Sequence, residues 1–312
     1  MGAATLPTLS GSGHAQSYPA HPVRVIVGFA AGQAIDVQAR LVSQWLSNHL
    51  GQQFLVENVP GGGGNIAAER VVRAQPDGYT LIVVGSNNYI NASLYEKLNF
   101  TFINDIAPVA SIGRLPNVME VNPSVPVKTV PEFIAYAKAN PGRLNFGSGG
   151  VGTTHHMAGE LFKMMTGIDM IHVPYRGTPL AMSDLIGGRI QVMFDNLPTS
   201  LEHIRAGRLR ALAVTTKERT KSLPEIPTVN DFVRGYEVSA VTGIGTPRDT
   251  PNEIIDALNQ QINAGLKDAA INGHLAKLGI EALPNSPEAF RKLIAAETEK
   301  WARVVKYAGV KA

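Results

Sequence analysis

Short apolar runs and longer amphipathic ones alternate along this chain, and glycine marks many of the changes between them. The β-branched run 23–27 predicts a buried strand closed by Gly28. Val37, Leu41, Trp45 and Leu46 then recur at helical spacing, predicting a helix that starts at Ile35 and is stopped by Gly51. Strands follow at 54–58 and 80–84, separated by four glycines (61–64) and a helix that carries Ile66, Ala67, Val71 and Val72, with Asn65 as its cap. Gly85-Ser86-Asn87-Asn88-Tyr89 reads as a polar loop at the carboxyl end of the third strand, where ligands lie in open α/β sheets. Two more strands are predicted near 107–112 and 118–121, and Pro123 and Pro126 mark a crossing into a second lobe.

The second half repeats this grammar. A helix at 131–138 and a strand at 144–146 lead to the glycine-rich loop 147–154 and a helix at 154–166. Strands at 170–173, 190–194 and 209–214 alternate with helices at 179–186 and 201–206. The stretches 223–227 and 238–244 return to the first lobe, and two helical patterns, 252–278 (broken near Ala269-Ala270) and 287–307, cover its sheet with Trp301 in the core. Strand and helix alternate throughout, and 312 residues exceed one typical domain, so two α/β lobes are expected.

Composition narrows the function classes. A net charge of +3, with Lys and Arg scattered, is too mild to imply nucleic acid or an acidic membrane surface, so neither is expected as a partner. The absence of cysteine excludes disulfides, thiolate metal sites and a Cys nucleophile. No run approaches the about 18 apolar residues that span a bilayer, so no direct membrane insertion is expected. Residues 3–17 are small and polar, and Gly13-His14-Ala15 before Gln16 fits a trimmed export signal; a plain disordered tail fits the same residues.

The candidate chemistry lies in the loops. In Gly28-Phe29-Ala30-Ala31-Gly32-Gln33-Ala34-Ile35-Asp36, small residues let the main chain approach a ligand at a helix N-terminus, which makes a cradle for a carboxylate or phosphate. Tight packing alone explains the same residues. Ser148, Gly152, Thr153 and Thr154 form the matching loop of the second lobe, and two facing cradles would grip a molecule with an anionic group at each end. Gly147-x-Gly149-x-x-Gly152 also matches the dinucleotide fingerprint, with Arg176 where an acid is wanted, and Ser148, His156 and Asp195 offer the residue types of a hydrolytic triad. An NADP-dependent or hydrolytic α/β enzyme is therefore the second reading. His155, His156 and Glu160 suggest a metal, since His156 and Glu160 fall one turn apart, but no third ligand joins that pair and the His-Glu-x-x-His order is absent; a His156–Glu160 pair tying the helix to its neighbours is the commoner role.

Taken together, Tyr18-Pro19, Pro22 with the strand after it, Gly32 to Asp36 with Ala39-Arg40, Val56-Glu57-Asn58, Gly62 to Asn65, Pro76-Asp77-Gly78-Tyr79, Gly147-Ser148, Gly152-Thr153-Thr154 with His156, His172-Val173-Pro174-Tyr175 and Val192-Met193-Phe194-Asp195-Asn196 carry a family pattern. With Trp301, Val304-Val305 and Ala308-Gly309, the chain resembles the Bug-type extracytoplasmic solute receptors of tripartite tricarboxylate transporters from Tyr18 onward. The resemblance implies a type II periplasmic binding protein: two α/β lobes, a double crossover hinge and a central ligand cleft. It implies a lobe made of 18–121 and 239–312, a second of 122–238, and a signal remnant or tail at 1–17. It further implies a monomeric, non-catalytic, cofactor-free periplasmic receptor that captures a small dicarboxylate or aromatic carboxylate and delivers it to membrane permease subunits. The implied ligand-binding residues are Phe29, Ala30, Gly32, Ala34, Ile35 and Asp36 on the first loop, Ser86 and Asn88 beside it, Ser148, Gly152, Thr153 and Thr154 opposite, and Arg176 and Asp195 in the cleft. Gln33 replaces a usual Gly, Ala30-Ala31 a common Pro-Pro, and Arg176 a frequent Lys, so the loop that reads the ligand departs from the family pattern.

Overall fold

The computed structural model describes residues 18–312, and the export-signal reading of 3–17 lies outside them. The chain begins with β1 (Val23–Val27), α1 (Ala34–Leu50), β2 (Phe54–Asn58), α2 (Asn65–Val72), β3 (Thr80–Val84), α3 (Ser86–Leu94), α4 (Phe102–Asp105) and β4 (Ile106–Val121). It continues through α5 (Val130–Ala139), β5 (Leu144–Ser148), α6 (Thr154–Thr166), β6 (Met170–Pro174), α7 (Thr178–Ile186), β7 (Val192–Asn196), α8 (Leu197–Arg205) and β8 (Arg210–Val214). It ends with β9 (Ser239–Pro247), α9 (Asn252–Lys267), α10 (Ala269–Lys277), β10 (Glu281–Ala282) and α11 (Pro287–Ala308).

The two lobes are built alike. In the first, β2, β1 and β3 are parallel and β9 adds antiparallel to β3; in the second, β6, β5 and β7 are parallel and β4 adds antiparallel to β7. The closing strands β4 and β9 also pair with each other, which joins the sheets by two crossings. β4 uses residues 106–116 for β9 and residues 117–121 for β7 and β8. Two separate strands were expected here, because Pro108, Gly113 and Pro116 interrupt the apolar run. Instead the ladder absorbs them with irregularities between Pro108 and Ala110 and between Ser111 and Gly113, and the change of sheet falls inside β4, ahead of Pro123 and Pro126.

Helical packing differs from expectation in two places. α9 lies on α1 and β4 as expected, but α11 packs against α3, β4 and α6 and so bridges both lobes. Its Trp301 is fully buried, in one apolar cluster with Tyr89 of the first lobe and Phe133 and Phe162 of the second. Asn65 does not cap α2: Gly64 precedes the helix in a left-handed conformation, and the Asn65 Oδ1 accepts from Asn91 Nδ2 at 2.9 Å. The last glycine of the run lies close against β1's end, since a Cβ on Gly28 would lie 2.9 Å from the Gly64 Cα.

Candidate functional site

In each lobe the first and third strands in chain order end at the same cleft, and each is followed directly by a helix. β1 leads into α1, β3 into α3, β5 into α6 and β7 into α8. The residues that precede those helices, Gln33, Gly85, Thr153 and Asn196, all line one cavity of about 380 Å³. First-turn N–H groups have no partner within their own helix, and the helix dipole concentrates positive charge beside them. Four such ends, two per lobe, favour an anion between them. Among the described residues no Lys or Arg lines the cavity, so N–H, hydroxyl and amide groups and the His155 imidazole supply the polar contacts. Phe29, Ile35, Leu94, Leu115, Val151 and Val241 supply apolar walls. The volume and lining suit a small organic anion with an apolar carbon skeleton.

The first-lobe side is held from behind. Asp36 is buried and accepts from Gly32 N, Arg40 Nε and Asn58 Nδ2, each at 2.9 Å. Burial raises its pKa, but the bonds from Arg40, Gly32 and Asn58 and the Arg40 charge outweigh that and hold the carboxyl below its ordinary range. Asp36 is thus the brace of the loop and does not line the cavity. On α3 the Asn88 Oδ1 accepts from Gly85 N at 2.8 Å, which fastens the helix start from within. Ser86 Oγ accepts from Val241 N at 3.1 Å and shares a 2.7 Å bond with the hydroxyl of buried Tyr89. With the buried Tyr89 hydroxyl donating in that pair, the Ser86 hydrogen is free for the cavity that Ser86 lines.

On the second lobe, Thr153 caps α6: its Oγ1 accepts from His156 N at 3.3 Å and donates to Gly150 O at 2.8 Å. Thr153→Ala removes both bonds and is expected to cost about 1 kcal/mol of stability by urea denaturation, and to loosen the α6 start that faces the cavity. Gly152, at φ +78°, meets the first lobe directly, since a Cβ there would lie 2.5 Å from Leu94 Cδ2. Ser148 is fully buried, with its hydroxyl 2.7 Å from His172 Nε2 and bonded to the Gly150 backbone. His156 stacks on His172 at 3.8 Å and accepts from Gly152 N at 3.2 Å; burial, then His172 and Lys163, lower its pKa to about 3. His156 and Glu160 stand 3.9 Å apart, so the expected pairing is loose, and Glu160 bonds Lys163 instead.

Of the sequence-derived site residues, Phe29, Ala34, Ile35, Ser86, Gly152, Thr153 and Thr154 come together around the cavity. Ala30 and Gly32 are exposed on the neighbouring loop, while Asp36, Asn88 and Ser148 stand behind it. Arg176 is exposed and outside the lining, and Tyr175 is braced not by it but by Asp184, whose Oδ2 accepts its hydroxyl at 2.8 Å. Asp195 is fully buried beneath the cavity, against His155, Thr199 and Ser200. The hydrolytic grouping does not form, because Ser148 bonds His172 and Asp195 faces His155. The dinucleotide reading loses Arg176 in the same way. Among the described residues no group of three His, Cys, Asp or Glu is placed to hold a metal ion. Sequence reasoning placed Gly85-Ser86-Asn87 on a ligand-facing loop but missed that it starts a helix, and it missed the α8 start at Asn196 and the wall residues Leu94, Leu115 and Val241. Asn196 alone carried a local signal, an N-cap type followed by Leu197-Pro198.

Comparison with known proteins agrees with this geometry. Residues 38–310 match the family model described as the tripartite tricarboxylate transporter family receptor. Protein BugT of Bordetella pertussis is 34% identical over 302 residues, covering 95% of this chain and 92% of that protein. The solved structure of Rhodopseudomonas palustris Rpa4515 with adipate is 37% identical, with a TM-score of 0.80, over 94% of this chain and 99% of that one. MatC from Rhodopseudomonas palustris with bound malate is 30% identical, with a TM-score of 0.77, over 92% of this chain and 100% of that one.

Proposed function

We propose that this chain, which belongs to the tripartite tricarboxylate transporter receptor family, is a periplasmic receptor that captures a small carboxylate and delivers it to a membrane permease. The observation that carries the reading is the meeting of four helix N-termini, two from each lobe, in a cavity that no Lys or Arg lines among the described residues. In this reading the N–H groups of Ala34 and Ile35, with bridging water, hold one carboxylate, and Ser86 donates beside them. Gly152, Thr153 and Thr154 hold the other end, and Phe29, Leu94 and Leu115 take the carbon chain between. Ala30, Gly32 and Asp36 act through the shape of the first loop, and Asn88 and Ser148 through the loops they fasten. Relatives bound to adipate and to malate support a ligand with a carboxylate at each end.

The test is a thermal-shift panel of adipate, succinate, malate, benzoate and NADPH. A carboxylate at 100 times its Kd is expected to add about 2.7 kcal/mol to folding stability and to raise the melting temperature. A panel in which no carboxylate acts, or NADPH alone does, overturns the reading.

A further inference from the structure

We propose that His155 determines ligand charge in this cleft: it takes up a proton as an anion binds, so that anion and proton are captured together and neutral analogues are rejected. The inference rests on the carboxylate-binding reading of the same cavity. His155 stands in the first turn of α6, lines the cavity and is only 6% exposed. Neither of its ring nitrogens has a hydrogen-bond partner. Behind it, 3.4 Å from Nε2, lies Asp195 Oδ1, which also has none. Buried polar atoms are rarely left so, because each costs its lost hydration.

The far side of Asp195 is already satisfied. Its Oδ2 accepts from Thr199 Oγ1 and from Ser200 Oγ, and Ser200 also lies 2.7 Å from Glu120 Oε1. Burial, then the neighbouring Asp195 carboxyl, push Glu120 well above the usual carboxylate range, which favours its protonated form. A proton on the imidazole gives Asp195 Oδ1 the charged donor it lacks.

Other ionisable groups around α6 are otherwise engaged. On α6 itself His156 is held neutral and Glu160 bonds Lys163. β5 carries no ionisable side chain; on β6, burial and Lys163 lower the His172 pKa to about 4. On α8 burial and Arg208 lower the His203 pKa against the pull of Asp195, and on α11 Lys300 bonds Glu297. On α7 Asp184 is tied to Arg189.

What opposes the proton in the empty cleft is the positive field of four helix starts, in which an imidazolium adds like charge. A carboxylate in the cavity cancels that field. Each binding event therefore favours the other, and linkage makes the coupling equal in both directions.

The test is calorimetric titration of the intact receptor with adipate, succinate or malate, whichever raises the melting temperature most, in HEPES and in Tris between about pH 7 and 8, where both carboxylates of these ligands stay ionised and no buffer phosphate competes for the cleft. Net proton uptake is expected, seen as an apparent enthalpy that differs between the buffers and an affinity that falls by up to about tenfold per pH unit as pH rises. His155→Gln is expected to bind with no proton uptake and a flat pH profile, and Asp195→Asn to take up less. Equal enthalpies in both buffers across the range overturn this inference and leave the proposed function standing. Proton uptake that persists in His155→Gln overturns the assignment to His155. No carboxylate binding at all overturns both.

Discussion

Gly152→Val is expected to raise the Kd for a bound carboxylate by roughly 100-fold, about 3 kcal/mol, while both lobes remain folded. The new side chain carries two costs, the first to folding and the second to ligand binding. The residue sits at φ +78°, where a β-branched side chain is strained by about 1–3 kcal/mol. Its Cβ would also press to 2.5 Å from Leu94 Cδ2, a buried side chain of the opposite lobe. That second cost arises where the lobes meet over the cleft, so opening relieves it and closure on ligand pays it again. Isothermal titration reads the loss directly, and Leu94→Ala in the same chain is expected to restore part of it. An unchanged Kd for the single variant would show that the lobes do not need this contact to hold ligand.

Asp36→Ala is expected to remove about 2–4 kcal/mol of folding stability in urea, since Gly32 N–H and Asn58 Nδ2 lose a charged acceptor in a buried place. Ligand binding weakens with it through a looser 29–33 loop, not through a lost contact. The pH dependence separates charge from shape. The folded carboxyl has a lower pKa than the unfolded one, so its contribution is present above the unfolded value, near 3.9, and is lost as pH falls through the lower folded value. The stability gap between the parent chain and Asp36→Asn should therefore stay level from about pH 7 to 5 and shrink below about pH 4. A gap that grows on acidification would mean that Asp36 is not the charged brace.

Both α1 and α6 were legible because a strand, a glycine-bearing loop and an amphipathic period follow one another with clear punctuation. α3 was not: Gly85 offers no capping side chain, and Ser86-Asn87-Asn88 has the composition of a turn. The cap comes instead from inside the helix, through Asn88. Asp36 was legible as a site residue but its role was not, because the local sequence does not reveal that Asn58, 22 positions away, and the Gly32 amide converge on it. Only the tertiary arrangement brings one flank of each of Leu94, Leu115 and Val241 to the cavity. The same holds for His155 and Asp195, 40 positions apart in sequence and 3.4 Å apart in space.

Because β4 belongs to one sheet along residues 106–116 and to the other along 117–121, the halves of this molecule share a seam that is itself a ladder of hydrogen bonds. Neither half possesses its own border there. Cut free, each would present a raw row of unpaired amides and carbonyls and half of a common oily interior, with Trp301 torn from one side or the other. The receptor is therefore two jaws cut from one piece, and neither makes a module that can be exchanged without reweaving the strand between them.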